Sequence, residues 1–274
     1  MTRKRKKSSF FQWILAFIMG ILTFIIGRSW TEWDITQDTI KEINKHATTS
    51  RMEIPLMEEK QGQIIQRTGY TLSYDAKNKT PQWVAWELTK EETRGNEERC
   101  TEFFPDPDTW GNKVVTSDYS HSGYDRGHMA PAGDMKWSKK AMQESFYMSN
   151  ICPQDHNLNT KDWNDLEMKS REWARRFGRI HIVCGPIYNG KRNEYIGVHR
   201  IKVPDGFFKV ILINTKTKQS AFGFIFENEA GERPLSDYLV SVDKVEEITG
   251  LNFFSLLPDD LENRLEMKTL DKLP

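Results

Sequence analysis

Cysteine is scarce in this sequence, and its placement excludes two kinds of site. Three of the 274 residues are cysteines, namely Cys100, Cys152 and Cys184. None of them belongs to a CxxC pair, so a zinc site built from such pairs is excluded. Because the number is small and odd, the chain is not a disulfide-framework domain. One internal disulfide is the maximum, and the spacing does not select its two members.

Net charge is also absent. The 39 basic and 39 acidic residues balance, but six of the basic ones and none of the acidic ones lie within residues 1–28, so the remainder carries a net charge of −6. A domain of that charge does not bind polyanions over its whole surface, and contact with nucleic acid requires a local basic patch. With 38% hydrophobic and 28% charged residues, the composition is that of a globular protein with a sizeable core.

Long hydrophobic runs are missing except near the start of the chain. Residues 8–27 carry no charge and follow a basic segment. As a helix, this stretch spans about 30 Å, which is the thickness of a bilayer's hydrocarbon core. We therefore predict that residues 1–28 are a cytoplasmic basic tail and a transmembrane signal-anchor, which hold the protein in the cell membrane as a single-pass protein with the rest outside the cytoplasm. A cleaved secretory signal, a buried core helix and an organelle membrane are alternatives that stay open.

The remainder divides into a polar segment and one domain. Residues 29–66 are predicted to be a membrane-proximal spacer, and residues 67–274 a single domain. Apolar runs bounded by turn-forming residues predict strands over residues 70–75, 83–88, 180–188, 207–214 and 220–228. Helical patterns occupy residues 138–147, 159–177 and 236–249. This order predicts an α+β fold, with helices packed on a central antiparallel sheet.

A cluster of ionisable residues stands in the middle of the chain, in the sequence DRGH at residues 125–128. His128 suits a general base, because an imidazole that titrates near pH ~6.5 accepts a proton at neutral pH. Gly127 is interpreted as a point where the backbone approaches a ligand closely. A histidine is also a common structural residue, so this cluster alone leaves a catalytic and a structural role open.

A second cluster follows in NLNTKDWNDLE, residues 157–167. If a helix begins at Asn159, Trp163 and Glu167 lie one and two turns further on, and Glu167 is about 12 Å from Asn159 along the axis. That separation is too long for both to ligate one ion directly. One direct oxygen ligand with water at the other positions is typical of Mg²⁺, and Glu167 then holds one of those waters. The alternative is that Asn159 caps the helix and Glu167 is a solvated helix residue.

Residues 122–167, SGYDRGHMAPAGDMKWSKKAMQESFYMSNICPQDHNLNTKDWNDLE, resemble the active-site core of the DNA/RNA non-specific endonucleases, a family that includes mitochondrial endonuclease G and secreted bacterial nucleases. The spacing from DRGH to SN, and from SN to the Asn and Glu that follow, fits the family without a gap. Weaker similarity extends over roughly residues 68–258. The resemblance implies a ββα-metal active-site motif within the α+β fold.

The resemblance also implies roles for individual residues. His128 matches the general base that activates water, and Asn159 matches the sole direct protein ligand of a catalytic Mg²⁺, for which Mn²⁺ is a substitute. Glu167 matches the carboxylate that binds water on the metal, and Asn150 matches an asparagine that supports the site. Arg126 belongs to the signature together with its aspartate neighbour.

Family members also carry an arginine near the phosphate, upstream of the signature. Arg99 fits best, and Arg94 is the alternative. The implied protein is a Mg²⁺-dependent, sugar-non-specific endonuclease that hydrolyses DNA and RNA and leaves 5′-phosphate ends. A catalytically inactive, membrane-anchored nucleic-acid binding or uptake protein is the first alternative, and a hydrolase of smaller phosphodiesters the second. A homodimer stays open, and no protein partner is predicted.

Other features near the motif receive no catalytic role. Cys152 has no separate base beside it and is interpreted as a small buried residue, and His156 is interpreted as a loop residue. A run of basic residues after Glu167 either complements a helix dipole or guides a nucleic-acid backbone. The run consists of Lys169, Arg171, Arg175, Arg176 and Arg179.

Overall fold

The computed structural model describes residues 51–57, 62–229, 231–270 and 272–274. The predicted transmembrane segment, residues 1–28, and residues 29–50 of the predicted spacer lie outside the described residues. Within the described ranges, no helix is both long enough and apolar enough to cross a membrane. Met52–Pro274 forms one compact unit.

The described residues form thirteen strands and five α-helices. The strands are β1 (Leu56–Met57), β2 (Gln63–Gln66), β3 (Thr71–Asp75), β4 (Thr80–Thr89), β5 (Asp125–His128), β6 (Ile151–Gln154), β7 (Arg179–Ile187), β8 (Tyr195–Ile196), β9 (Ile201–Lys202), β10 (Gly206–Asn214), β11 (Gln219–Glu227), β12 (Leu239–Val240) and β13 (Leu251–Asn252). The helices are α1 (Lys139–Ser145), α2 (His156–Thr160), α3 (Asp162–Phe177), α4 (Val242–Thr249) and α5 (Asp259–Glu266).

Seven strands build one sheet, in the order β12-β11-β10-β7-β4-β3-β2, and every neighbouring pair is antiparallel. All five strands predicted from sequence lie in this sheet. Their apolar residues are frequent enough to cover both faces, which explains why short sequence runs located them well. The prediction of an α+β fold with a central antiparallel sheet is confirmed.

Alternate residues of the central strands enter two separate cores. In β10, Phe207 packs in the core that contains Trp163 of α3, whereas Phe208 packs in the core that contains Val245 of α4. This separation follows from the strand itself, because successive side chains point to opposite faces of a sheet. Helix α3 therefore covers one face of the sheet, and α4 covers the other.

The helix predicted over residues 159–177 is wrong at its start. Two helices occupy this segment, and they are separated at Lys161, whose φ of −113° and ψ of −95° are not helical. Asp155 caps the first helix, α2, by accepting two backbone hydrogen bonds. Asn159 belongs to α2 and Glu167 to α3, so the separation expected for a single continuous helix does not apply to them.

The last predicted helix, residues 236–249, is also shorter than expected. Its first residues form a 3₁₀ turn (Leu235–Tyr238) and strand β12, and α4 begins only after Ser241, whose side chain accepts a hydrogen bond from the Lys244 N–H. Gly250, which directly follows the predicted helix, ends α4 with a φ of 69°.

Part of the predicted spacer packs within the compact unit. Strand β2 pairs with β3 at the edge of the main sheet, and Ile54 is buried in the core that α4 shares. The proposed division of the chain at residues 28 and 66 stays a prediction.

Candidate active site

Strands β5 and β6 form a separate antiparallel pair that carries the DRGH motif. Their register places Asp125 opposite Gln154 and His128 opposite Ile151. Trp163 of α3 donates a hydrogen bond of 3.2 Å from Nε1 to the carbonyl of His128, which ties the helix to the end of β5. Two antiparallel strands followed by a helix are thus brought together around the histidine, in the ββα order that the resemblance implies.

Gly127 lies against a side chain of the facing strand. A Cβ atom at this position would lie 2.2 Å from Oε1 of Gln154 on the facing strand. The glycine therefore makes room for a buried protein side chain.

The residues of the motif line a cleft of about 400 Å³. Five of the six predicted site residues contribute to it, and only Asn150 does not. The wall consists of Arg99, Phe103, Arg126, His128, Pro131, Ala132, Asn159, Thr160, Asn164 and Glu167. The folded chain therefore gathers polar and cationic side chains from three separate stretches of sequence, residues 99–103, 126–132 and 159–167.

Two phenyl rings hold the His128 imidazole. The ring centroid of Phe146 lies 4.8 Å away in an edge contact, and that of Phe103 lies 5.3 Å away. Nε2 of His128 is buried and has no hydrogen-bond partner within the part of the chain that is described. Burial, and secondly the positive charge of Arg99, lower the pKa of His128 to about 3. The imidazole is therefore neutral at physiological pH.

The side chain of Asn159 is oriented by a carboxylate. Its Nδ2 donates a hydrogen bond of 2.9 Å to Oδ2 of Asp125, the first residue of the DRGH motif. The same carboxylate oxygen lies 2.9 Å from Nδ1 of His156. His156 is the first residue of α2, so its interpretation as a loop residue is wrong. Because the amide nitrogen is engaged, the carbonyl oxygen of Asn159 is the side-chain atom that could bind a metal ion.

Glu167 is half-buried in the wall of the cleft. Burial raises the pKa of its carboxyl to about 7, although the nearby positive charge of Lys209 opposes that shift. Lys209 is 1% exposed and projects from β10, with Nζ 4.0 Å from the ring centroid of Trp163. Asp134 is buried as well and accepts hydrogen bonds from Trp86 and Arg171. A buried charged network therefore stands behind the Glu167 carboxylate.

Both predicted arginines face the cleft, and each lies over an aromatic ring. The guanidinium of Arg99 is 5.1 Å from the Phe146 centroid, and that of Arg126 is 5.0 Å from the Phe103 centroid. Arg94, the alternative to Arg99, is exposed and does not belong to the wall of the cleft. The two phenyl rings thus position both the histidine and the cationic groups around it.

Asn150 acts on the backbone next to the cleft. Its Oδ1 accepts a hydrogen bond from the Ala130 N–H, and its Nδ2 donates to the carbonyls of Ala130 and Ser145, each at 2.9 Å. The side chain is fully buried and shapes the turn that follows His128.

Cys152 is buried and unpaired, and burial raises the pKa of its thiol well above the usual range, which does not suit a nucleophile.

The basic run after Glu167 is largely occupied by ion pairs. Arg171 donates to Asp134 at 2.8 Å, Lys169 to Glu172 at 2.7 Å, and Arg179 lies 3.2 Å from Glu87. Arg171 therefore supports the wall of the cleft from within the protein. Arg175 and Arg176 lie in the last turn of α3, where positive charge complements the helix dipole.

Several residues of the site were not found by sequence reasoning. Phe103 and Phe146 carry no chemical signal of their own, and only their packing on His128 reveals them. Lys209 did leave a signal, because it is the one charged residue in the strand sequence GFFKVILIN. A lysine within such an apolar run indicates a buried partner for its charge.

Comparison with known proteins supports a relationship over most of the chain. The chain is 38% identical to human mitochondrial nuclease EXOG over 222 residues, which are 74% of this chain and 60% of the relative. It is 33% identical to bovine mitochondrial endonuclease G over 205 residues, or 70% of this chain and 69% of that protein. The chain thus matches about three fifths of the length of the EXOG relative, and the activity, substrates and partners of the whole protein are proposals.

These relatives correct the predicted location. The prediction placed the protein in the cell membrane with its domain outside the cytoplasm, whereas the human and bovine relatives, and a fission-yeast one named Nuclease 1, are mitochondrial. The prediction is therefore wrong. Hydropathy and flanking charge report how a segment inserts in a bilayer and which way it faces, and they hold no information on which membrane it is.

A solved structure and a family model give the same assignment. The fold matches the crystal structure of the EndoG/EndoGI complex, which concerns the mechanism of EndoG inhibition, with a TM-score of 0.69 and 31% identity, over 75% of this chain and 89% of that one. Residues 48–260 match the model of the DNA/RNA non-specific endonucleases. The predicted family and the endonuclease class are thereby confirmed: the chain belongs to the DNA/RNA non-specific endonuclease family.

Proposed function

We propose that the protein is a metal-dependent, sugar-non-specific endonuclease that hydrolyses phosphodiester bonds in DNA and RNA. The observation that carries this proposal is the meeting of three groups from separate elements in one cleft. They are the neutral imidazole of His128, the oriented amide of Asn159 and the carboxylate of Glu167. Two arginines complete the wall, as an anionic substrate requires.

The donor set of the cleft fits a hard divalent cation. Asn159 offers an amide oxygen whose partner nitrogen is engaged by Asp125, and Glu167 offers a carboxylate on the facing helix. Mg²⁺ binds a small number of protein oxygen atoms and keeps several of its waters. Mn²⁺ accepts the same ligands. When bound there, the ion supplies positive charge for the oxygen that leaves phosphorus.

His128 supplies the base. Burial lowers the pKa of His128, so the imidazole carries no proton at neutral pH. Its Nε2, which has no partner among the described residues, is the atom that takes a proton from the attacking water. The water oxygen then bonds to phosphorus while the bond from phosphorus to the 3′ oxygen breaks, which leaves the 5′ phosphate on the product. The packing of Phe103 and Phe146 on the ring keeps it in place during this transfer.

Arg99 and Arg126 bind the phosphate. A guanidinium matches the geometry of two phosphate oxygens and stays charged at any physiological pH. Their contacts with phenyl rings restrict both side chains to the wall of the cleft. Groups that grip phosphate carry no sequence information, so these contacts favour cleavage without preference for a base.

The test is cleavage of supercoiled plasmid and of single-stranded RNA by the purified full-length protein in Mg²⁺ buffer, with and without EDTA. We expect nicking of both polymers, its loss in EDTA, and a reduction of about 10²- to 10⁴-fold in His128→Ala. His121→Ala is the matched control, because His121 is exposed and lies outside the wall of the cleft.

The same assay separates the alternatives. A protein that retains DNA on a filter but never cleaves it is the inactive binding protein. One that hydrolyses a small phosphodiester and leaves both polymers intact is the small-ester hydrolase. Full nicking by His128→Ala would rule out the proposed base.

A further inference from the structure

A cluster of acidic residues lies between α4 and α5, away from the cleft. Val245 of α4 and the partly buried Leu261 and Leu265 of α5 pack in the same core. That core covers the face of the sheet opposite to the one that carries Trp163 and α3. Whatever this cluster binds is therefore separate from the catalytic residues.

Two pairs of carboxylates face each other there. Asp243 and Glu246 are three residues apart on α4, and Glu262 and Glu266 are four apart on α5, so each pair shares one side of its helix. Carboxylate oxygens of Asp243, Glu246 and Glu266 all lie within 4.8 Å of one another. Such proximity is repulsive if the groups are charged and nothing lies between them.

Glu266 provides an independent sign of a missing partner. Glu266 is 5% exposed, and its Oε1 atom is buried without a hydrogen-bond partner in the described chain. By contrast, Glu246 is fixed by a hydrogen bond of 2.8 Å from the Phe253 N–H to Oε1. Lys244, the basic residue within α4, is paired with Glu247 at 2.7 Å. No ion pair joins a described lysine or arginine to the facing carboxylates.

A buried carboxylate oxygen without a partner is costly, so it requires a proton or a cation. Burial, followed by the charges of Glu246, Glu262 and Asp243, raises the pKa of Glu266 to about 9. Burial also raises the pKa of Glu246 and of Glu262. The buried Glu266 oxygen has no partner among the described residues, and the neighbouring carboxylates supply the oxygen donors of a cation site.

We propose that Asp243, Glu246 and Glu266 bind one Ca²⁺ ion that joins α4 to α5. Oxygens on opposite sides of a Ca²⁺ ion, at 2.3–2.6 Å each, are about 5 Å apart. The ligand oxygens of this cluster all lie within 4.8 Å of one another, so one such ion can contact all three carboxylates. Mg²⁺ keeps several of its waters and is bound by one or two carboxylates, so a site of three carboxylates suits Ca²⁺ better.

The ion has a structural role in this proposal. Asp243 is exposed, which gives the ion a path from solvent, while Glu266 holds it from the buried side. Because Glu266 is the last residue of α5, its capture fixes the end of that helix against α4. Ca²⁺ is thus expected to stabilise the fold without taking part in cleavage.

The test is equilibrium dialysis of the full-length protein against radiolabelled Ca²⁺ in excess Mg²⁺, with thermal unfolding in parallel. We expect one Ca²⁺ per chain and a rise in Tm of about 3 °C or more when Ca²⁺ stands roughly tenfold above its Kd. Glu266→Gln and Asp243→Asn should both lose the ion and the rise in Tm. Asp243 is exposed, so its substitution does not endanger folding.

Two further variants locate the ion. Asn159→Ala should keep both the bound Ca²⁺ and the rise in Tm, since Asn159 lies in the cleft and not in the acidic cluster. Asp260→Asn, an exposed acid on α5 outside the cluster, should behave like the unsubstituted protein. Absence of bound Ca²⁺, its retention by Glu266→Gln, or its loss in Asn159→Ala would each overturn the proposal.

Discussion

Asp125 Oδ2 accepts a hydrogen bond of 2.9 Å from Asn159 Nδ2, and this contact joins the first residue of β5 to the short helix α2. The contact decides which end of the amide faces the cleft. A carboxylate that orients a metal ligand contributes to affinity without touching the metal.

Asp125→Ala should therefore weaken metal binding. We expect the Mg²⁺ concentration for half-maximal cleavage to rise about 10- to 100-fold, since the Asn159 amide is then free to rotate. A titration of activity with Mg²⁺ measures this. His156→Ala is the control, because its ring contacts the same carboxylate but is mostly exposed. An unchanged Mg²⁺ requirement in Asp125→Ala would exclude an orienting role.

The two upstream arginines should differ sharply. Arg99→Ala is expected to lower kcat/KM on DNA by about 10²-fold, because a cation at the phosphate is lost. Arg94→Ala should leave kcat/KM nearly unchanged, since that side chain lies outside the wall of the cleft. Equal effects of the two substitutions, measured by steady-state cleavage of a fluorescent oligonucleotide, would contradict the assignment of Arg99.

Asn150 should matter for stability more than for chemistry. Asn150→Ala leaves three buried backbone groups unpaired, at about 1–3 kcal/mol each. We expect the free energy of unfolding to fall by about 3 kcal/mol or more in urea titrations. Asn157→Ala, an exposed asparagine in α2, should change it by less than about 0.5 kcal/mol. A variant with normal stability and no activity would instead assign Asn150 to the reaction.

The buried imidazole of His128 should make the fold sensitive to acid. Its pKa is about 3 in the folded protein, against about 6.5 in an unfolded chain. The unfolded chain therefore binds the proton first, so stability is complete above pH ~6.5 and falls as the pH drops towards 3. At pH 5 the loss is about 2 kcal/mol.

His128→Gln should remove that part of the acid sensitivity. Urea unfolding in EDTA at pH 7.5 and at pH 5 compares the variant with the unsubstituted protein. We expect the variant to lose about 2 kcal/mol less between the two pH values. His121→Gln should lose as much as the unsubstituted protein, because His121 is exposed. Equal losses in all three proteins would contradict a buried neutral His128.

Local patterns predicted the elements well where one signal dominates. The strand over residues 207–214 differs from the observed β10 by a single residue, because its apolar run serves both faces of the sheet. The helix predicted over residues 159–177 failed because the backbone leaves the helical conformation at Lys161, between α2 and α3. A break of this kind depends on where the chain must turn, which periodicity does not record.

By itself, the sequence determined the family, the α+β class and the residue types of the site, because these depend on composition, periodicity and the spacing of a motif. Only the tertiary structure decided how the site is assembled. It placed Phe146 on His128, Asp125 on Asn159 and the charge of Lys209 near Glu167. Each contact joins residues at least 18 positions apart, and such pairs meet only because packed strands and helices bring them together.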